Sequence, residues 1–179
     1  MADAGAPVAI GWAATATRLI VRADTHAAAR VGMALGVLLG TAPCRSVIAR
    51  DRVALWLGPD EWLVLTPEGV GVPGEQAVAP ASVVDVSHGF LGIDVTGPRA
   101  AWCINAFCPL DLDLPAFPPG ACTRTVFGKV PIVLWRTEAA AFRVEVARSL
   151  AAYVWQCLAE ATKEFIPGGA ATDWSAEER

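Results

Sequence analysis

Apolar and polar positions alternate along the chain with two periods, one typical of strands and the other typical of helices. Residues 18–22 have the strand period, and Asp24 and Thr25 then supply good N-cap side chains for a helix. We expect this helix to close near Gly40 and Pro43. Its predicted buried face, at the spacing i, i+3, i+4 and i+7, consists of Val31, Ala34, Leu35 and Leu38.

Short apolar runs separated by turn residues predict further strands, and the turns at 50–52 and 58–60 join three of them into a meander. The predicted strands are residues 47–49, 53–57, 62–65, 83–86, 91–95, 123–127, 132–135 and 142–146. A helix is expected from Gly97-Pro98 to about Phe107, because proline favours the first helical position. A final helix is predicted to bury Leu150, Val154, Cys157, Leu158, Ala161 and Phe165.

These alternating segments predict an α+β fold in which antiparallel or mixed sheets are covered by helices on one face. Residues 67–80 are rich in glycine and proline and leave no room for a long helix, so we expect a surface loop that joins two α+β halves. The chain is therefore divided into an N-terminal arm (1–15), one domain (16–166) and a C-terminal tail (167–179).

The composition suggests that part of the surface meets another protein. Hydrophobic residues make up 54% of the 179 residues and charged residues 18%, whereas about 25% charged residues is ordinary. So few charges cover a monomer's exterior poorly. The net charge of −4 argues against nucleic acid as the partner, because phosphate binding needs clustered Lys and Arg.

Membrane insertion is not expected from the hydrophobic pattern. The best candidate segment, residues 31–44, is shorter than the roughly 20 residues of a spanning helix. The N-terminus has no basic region of the kind that begins a secretory signal, so we expect a cytoplasmic protein. In that reducing compartment the five cysteines indicate buried thiols rather than disulfides.

Two motifs that suggest chemistry fail on local grounds. Residues 69–74 carry the letters G-x-G-x-x-G of a dinucleotide fingerprint, but Pro73 and Pro80 leave no helix whose N-terminus could hold a pyrophosphate. Ser87 and His88 are adjacent, and neighbours on a strand point to opposite faces, so a turn is favoured over a nucleophile and its base. The histidines and cysteines also lack the usual spacing of zinc ligands.

Four residues are the interface candidates. Gly32 and Gly36, continued by Gly40, recur every four residues and could form a smooth helical ridge for another backbone. Close packing on the protein's own sheet is the alternative for these glycines. Tyr153 and Trp155 lie off the predicted core stripe of the final helix, so we expect them on its outer side as anchors for a partner.

Six phrases in their order along the chain closely resemble the gamma subunit family of heterotetrameric sarcosine oxidase, over roughly residues 18–161. The phrases are residues 56–63 (WLGPDEWL), 84–87 (VDVS), 108–112 (CPLDL), 117–120 (FPPG), 134–136 (LWR) and 148–155 (RSLAAYVW). The resemblance implies a fold like the folate-binding aminomethyltransferase domain of the glycine cleavage system (T-protein). It also implies partner subunits named alpha, beta and delta.

In this family the complex oxidises the N-methyl group of sarcosine to give glycine, hydrogen peroxide and a one-carbon unit that tetrahydrofolate accepts. The resemblance implies that FAD, FMN and NAD lie in the alpha and beta subunits and zinc in the delta subunit. The gamma subunit carries no known catalytic residue, so we expect this chain to bind no cofactor or metal itself.

Three hypotheses remain open at this point. The chain is a structural subunit of sarcosine oxidase or of a related complex that oxidises another N-methylated amino acid. Alternatively, it is a stand-alone folate-binding aminomethyltransferase, for which Asp85 and Asp94 are the strand-borne acidic candidates. The third hypothesis is a free-standing binding module.

Overall fold

Two five-stranded antiparallel sheets form the framework of the domain. The structure is a computed structural model that describes residues 7–74 and 78–165. Its strands are β1 (Ala9–Trp12), β2 (Ala16–Arg22), β3 (Ser46–Ala49), β4 (Arg52–Gly58), β5 (Glu61–Pro67), β6 (Ser82–Asp85), β7 (Phe90–Thr96), β8 (Cys122–Phe127), β9 (Val130–Glu138) and β10 (Ala141–Ala147). Its helices are α1 (Thr25–Leu35), α2 (Ala100–Asn105) and α3 (Arg148–Thr162), with a 3-10 turn at Ser87–Gly89.

The first sheet has the strand order β3-β4-β5-β2-β6, and the second has the order β1-β7-β10-β9-β8. All paired strands are antiparallel, and the predicted meander is confirmed as β3, β4 and β5. Residues 9–12, which the sequence placed in an N-terminal arm, form β1 and pair with β7 at the edge of the second sheet. The proposed boundaries of the domain stay predictions, and the tail at 167–179 lies outside the described residues.

Each sheet uses both of its faces, because neighbouring residues on a strand point in opposite directions. On β5, Trp62 and Val64 pack with α1, whereas Leu63 and Leu65 pack towards the second sheet. On β10, Val144 and Val146 pack among the residues of α2 and α3. The domain is therefore a four-layer stack of α1, first sheet, second sheet, and α2 with α3, which confirms the α+β fold class.

Helix α1 begins as predicted but ends earlier. Asp24 caps it, since its Oδ1 accepts a hydrogen bond from the Ala27 N–H at 2.7 Å. The helix stops at Gly36, whose φ of 67° is left-handed and whose N–H bonds back to the last turn. The predicted end near Gly40 is therefore wrong, and Leu38, assigned to the buried face, lies beyond the helix and is exposed.

Helix α3 has its buried face one position away from the predicted stripe. The buried residues are Ala151, Val154, Trp155, Leu158 and Thr162. Val154 and Leu158 belong to both faces, but Leu150 is 38% exposed and Trp155 is only 5% exposed. Helix α2 is also shorter than predicted and begins at Ala100 rather than Pro98. In the described ranges, no helix has the length and apolar character needed to cross a bilayer.

Candidate interaction surface and inter-sheet ion cluster

The outward position expected for Trp155 is wrong. Its indole stacks on that of Trp12 with ring centroids 4.5 Å apart and planes within 7°, so it joins β1 to α3 inside the domain. Tyr153 does lie outside the core and is 44% exposed. A Cβ added to Gly128 would approach the Tyr153 hydroxyl oxygen to 2.8 Å, so the ring also rests on the turn between β8 and β9.

The glycine ridge does not form, because Gly36 and Gly40 lie outside α1. A Cβ on Gly32 would approach the Val37 carbonyl oxygen to 2.9 Å, so this residue lets the chain after the helix fold back on it. Gly36 carries the left-handed turn and lies under the Arg52 side chain. Packing within the chain thus accounts for both glycines, although Gly32 packs on the segment that follows α1 rather than on the sheet, as the alternative had it. Whether either glycine also meets a partner stays a prediction.

Another aromatic side chain is the most exposed one in the part of the chain that the structure describes. Trp102 on α2 is 65% exposed. The Arg99 guanidinium lies 5.6 Å from the Trp102 ring centre and 5.8 Å from that of Phe165, so the cation connects the two rings. We call Arg99, Trp102 and Phe165 the α2 patch. Tryptophan and arginine are the side chains that most often dominate binding energy at protein interfaces.

The sequence itself contains a signal for this patch. Ala100, Cys103 and Ile104 are the buried residues of α2, and their spacing places Trp102 on the opposite side. A tryptophan on the polar side of a short helix is expensive to leave in water, so the same reasoning that was applied to Trp155 fits Trp102 better.

A buried ion cluster lies between the two sheets. The Glu145 carboxylate on β10 is fully buried and accepts hydrogen bonds at 2.6 Å from Nε of Arg18 on β2 and from Nε of Arg143. The Arg18 Nη1 also donates to the Ala16 carbonyl oxygen at 3.1 Å. We call Arg18, Arg143 and Glu145 the ion triad. One carboxylate between two guanidinium groups leaves a net positive charge in a buried layer.

A cleft of about 310 Å³ opens beside the ion triad and is called the inter-sheet cleft. Its walls come from both sheets and from the chain before β2, and the β3–β4 turn at residues 50–52 forms its rim. Its wall residues include Thr15, Val53, Leu65, Thr66, Trp135 and Arg143. The sequence could not indicate this cleft, because its lining comes from five separate segments.

Ser87 and His88 form the predicted turn rather than a catalytic pair. The Ser87 hydroxyl donates to Asp85 Oδ1 at 2.5 Å and accepts the Arg18 backbone N–H at 2.9 Å. The Ser87 backbone N–H also donates to Asp85 Oδ1, at 2.8 Å, and the two bonds that Ser87 donates lower the pKa of the Asp85 carboxyl. The His88 carbonyl oxygen accepts from Arg148 Nε at 2.8 Å, so the turn is held from both sides.

The other candidate groups have positions with structural roles. Burial raises the pKa of the Asp94 carboxyl, which lies on β7 opposite Arg143. Burial also raises the pKa of the Cys103 thiol to about 11 and that of Cys122 to about 12. The prediction of buried thiols is confirmed for Cys103, Cys108 and Cys122 but is wrong for Cys44, which is exposed, and Cys157 is half-buried. Among residues 7–74 and 78–165, no three potential metal ligands converge.

Comparisons with known proteins agree on one family. The model of the family described as "Sarcosine oxidase, gamma subunit family" matches residues 21–164. The sarcosine oxidase subunit gamma of Arthrobacter sp. is 36% identical over 133 residues, which cover 69% of this chain and 64% of that protein. The subunit gamma of Corynebacterium sp. (strain P-1) is 31% identical over 140 residues, or 76% and 64% of the two chains. The matched part thus spans just under two thirds of these relatives.

Solved structures agree with the fold. A chain of the heterotetrameric sarcosine oxidase from Corynebacterium sp. U-96, in complex with pyrrole 2-carboxylate, superposes with a TM-score of 0.82 at 28% identity, covering 96% of this chain and 90% of that one. Aminomethyltransferase T of the glycine cleavage system from Bartonella henselae gives a TM-score of 0.57 at 12% identity, over 86% and 45% of the chains. This second likeness concerns the fold alone, and it confirms the expected T-protein-like architecture.

Proposed function

The chain belongs to the sarcosine oxidase gamma subunit family, and from this premise we propose that it is a non-catalytic structural subunit of a heterotetrameric sarcosine oxidase. The observation that carries the proposal is the family match over residues 21–164. In this role the chain binds alpha, beta and delta subunits in the cytoplasm. FAD, FMN and NAD belong to the alpha and beta subunits and zinc to the delta subunit, as the family resemblance implies.

The reaction of the assembled complex is part of the same proposal. The complex oxidises the N-methyl group of sarcosine, reduces dioxygen to hydrogen peroxide, and releases glycine together with a one-carbon unit that tetrahydrofolate accepts. Another N-methylated amino acid is the alternative substrate. Assaying the purified complex on sarcosine and on other N-methylated amino acids decides between them.

The surface of the chain supports a structural role. The α2 patch presents a large ring and a cation on the outer helical layer, as interface hot spots do. The Ser87 hydroxyl and the Cys103 and Cys122 thiols are committed to turns and to the core. These three groups therefore serve the fold, and the exposed apolar side chains such as Trp102 are available to meet a partner.

The test is co-expression of this chain, carrying an affinity tag, with the alpha, beta and delta subunits from its own host. We expect the four chains to purify in equal amounts with bound flavin. Trp102→Ala should weaken the binding of the gamma subunit by about 2 kcal/mol or more, measured by dissociation on dilution. Its own thermal stability should change little, because the ring is mostly exposed.

Met33→Ala is the matched control, because Met33 is 73% exposed on α1 in the opposite outer layer. It should leave assembly unchanged if α2 faces the partner. Tyr153→Ala tests the remaining aromatic candidate on α3 in the same way. A tagged chain that purifies alone after co-expression contradicts the structural role, and a normal complex with Trp102→Ala contradicts the assignment of the α2 patch.

A further inference from the structure

Two buried hydrogen-bond donors on the second sheet have no acceptor among the residues that the structure describes. They are Nε1 of Trp135 on β9 and Nη2 of Arg143 on β10. The two residues lie opposite each other in the β9–β10 register, and both side chains line the inter-sheet cleft. A buried donor without an acceptor costs free energy, so donors of this kind normally meet a partner that is not part of the chain.

We propose that the inter-sheet cleft binds the carboxylate group of a small monoanionic organic acid. A carboxylate has two oxygens, so it can accept one hydrogen bond from the indole and one from the guanidinium. Bonds from charged donors to a carboxylate are the stronger kind, and an arginine suits this acceptor by its planar geometry. The site is independent of the assembly proposed above, and its ligand does not depend on the reaction of the complex.

The charge of the surrounding groups favours a monoanion. Glu145 is shared by Arg18 and Arg143, so the ion triad carries one positive charge that a single carboxylate would neutralise. Asp94 lies on the neighbouring strand opposite Arg143, and its carboxyl competes with an entering anion. Arg50, Asp51 and Arg52 lie at the solvated rim of the cleft, so they do not balance a charge at its buried base. There, a dianion such as phosphate would leave an excess negative charge beside the Glu145 carboxylate, which is costly in a desolvated layer.

The other residues that line the inter-sheet cleft limit the size and polarity of the group attached to the carboxylate. Val53, Leu65 and Ala16 provide apolar wall, and Arg50 and Asp51 lie at the rim. A cleft of about 310 Å³ is at the small end of ligand sites in proteins. A short aliphatic chain attached to the carboxylate fits this lining.

The experiment uses the full chain, uniformly labelled with nitrogen-15, and titrates it with sodium butyrate at constant ionic strength. We expect a saturable shift of the Trp135 indole N–H resonance, which Trp135→Phe identifies by its disappearance. Butyramide has the same shape without the charge, and inorganic phosphate is an anion without the aliphatic chain. Both should bind at least about tenfold more weakly than butyrate.

Variants make the assignment specific to the two donors. Trp135→Phe should weaken butyrate binding about tenfold, followed through the backbone resonances of β9 and β10. Arg143→Lys keeps the charge beside Glu145 but removes Nη2, so it should also weaken butyrate binding. It provides an independent test in case Trp135→Phe fails to fold. Trp56→Phe is the matched control on β4 and should leave affinity unchanged. Asp94→Asn should strengthen binding, since it removes the competing carboxyl.

Several outcomes overturn the proposal. Absence of a saturable shift means that water satisfies both donors. Equal affinity for butyramide means that the cleft selects apolar shape, and equal affinity for phosphate means that it selects any anion. Unchanged affinity in both Trp135→Phe and Arg143→Lys, or weaker binding in Asp94→Asn, also contradicts it.

Discussion

The layer between the two sheets has two parts that are stabilised differently. Under β4 and β5 it is apolar, with Leu55, Leu57 and Leu63 packed towards Cys122 and Val133 of the second sheet. Under β2 it holds the ion triad, in which arginine side chains from both sheets share one carboxylate. The same two sheets are thus joined by a non-directional contact in one part and by fixed hydrogen-bond geometry in the other.

The two parts of the layer should respond differently to substitution of a single side chain. Apolar packing loses free energy in proportion to the volume removed, so a single truncation is a local loss. An ion cluster depends on every member, because removal of one partner leaves a buried charge uncompensated. The apolar part should therefore degrade gradually, and the ionic part should fail with one substitution.

The largest effect is expected for Glu145→Gln. This change leaves the Arg18 and Arg143 guanidinium groups buried without their carboxylate, so the free energy of unfolding should fall by about 3–5 kcal/mol. Urea denaturation measures it. Glu160→Gln, in the exposed pair with Lys163, is the control and should change stability by less than about 0.5 kcal/mol. A loss no larger than that of the control shows that the triad is not desolvated.

Leu63→Ala tests the apolar part. Leu63 is only 1% exposed, and its truncation should lower the free energy of unfolding by about 2–5 kcal/mol. Leu63→Met conserves volume and should cost less than about 1.5 kcal/mol. The same denaturation curves measure both variants. If the methionine variant loses as much as the alanine variant, this part of the layer depends on exact shape and the proposed contrast disappears.

Replacing the whole ion triad sharpens the contrast. The triple variant Arg18→Met, Arg143→Met and Glu145→Leu removes all three charges together, so no member of the triad is left as an unpaired charge. We expect it to be as stable as the original chain or more stable by about 1–4 kcal/mol. Arg18→Met alone should be strongly destabilised. A triple variant as unstable as Glu145→Gln would mean that hydrogen-bond geometry, rather than charge balance, stabilises this part.

The smallest effect is the pH dependence that comes from Asp94. Burial raises the pKa of this carboxyl, so the folded state holds the proton more tightly than the unfolded state does. Ionised Asp94 therefore costs stability, and the cost develops as the pH rises from the unfolded pKa through the folded pKa. Asp94→Asn should gain stability at neutral pH and lose that advantage below the ordinary aspartate pKa. Melting temperatures from about pH 3 to about pH 8 test this.

Except for β1, which was assigned to an N-terminal arm, the strands of the described residues were predictable from the sequence, whereas the buried faces of α1 and α3 were not. Alternation on β4, β5 and β10 gives the strand positions directly. On α3, Val154 and Leu158 are compatible with two adjacent buried faces. The face that includes Trp155 is buried because Trp12, near the N-terminus, stacks on the Trp155 indole. No local pattern contains such a contact.

The candidate sites divide in the same way. The exposed position of Trp102 was predictable from the sequence, because the buried positions of α2 place this residue on the outer side of the helix. The ion pair between Arg18 and Glu145 was not predictable, because the two residues are 127 positions apart in the sequence and meet only when the two sheets stack. A buried ion pair looks like two surface charges in a sequence, because strands alternate polar and apolar residues whether the polar face meets water or another sheet.

Strand β1 has a consequence for the aggregation behaviour of shortened chains. It covers the outer side of β7, and without it the second sheet would present a full row of unpaired backbone N–H and C=O groups at an open edge. A chain that began at residue 16 would therefore offer β7 to a second copy of itself and would also uncover the Trp155 indole. Strand β1, which the sequence analysis assigned to an arm, thus prevents β7 from pairing with the edge of another molecule.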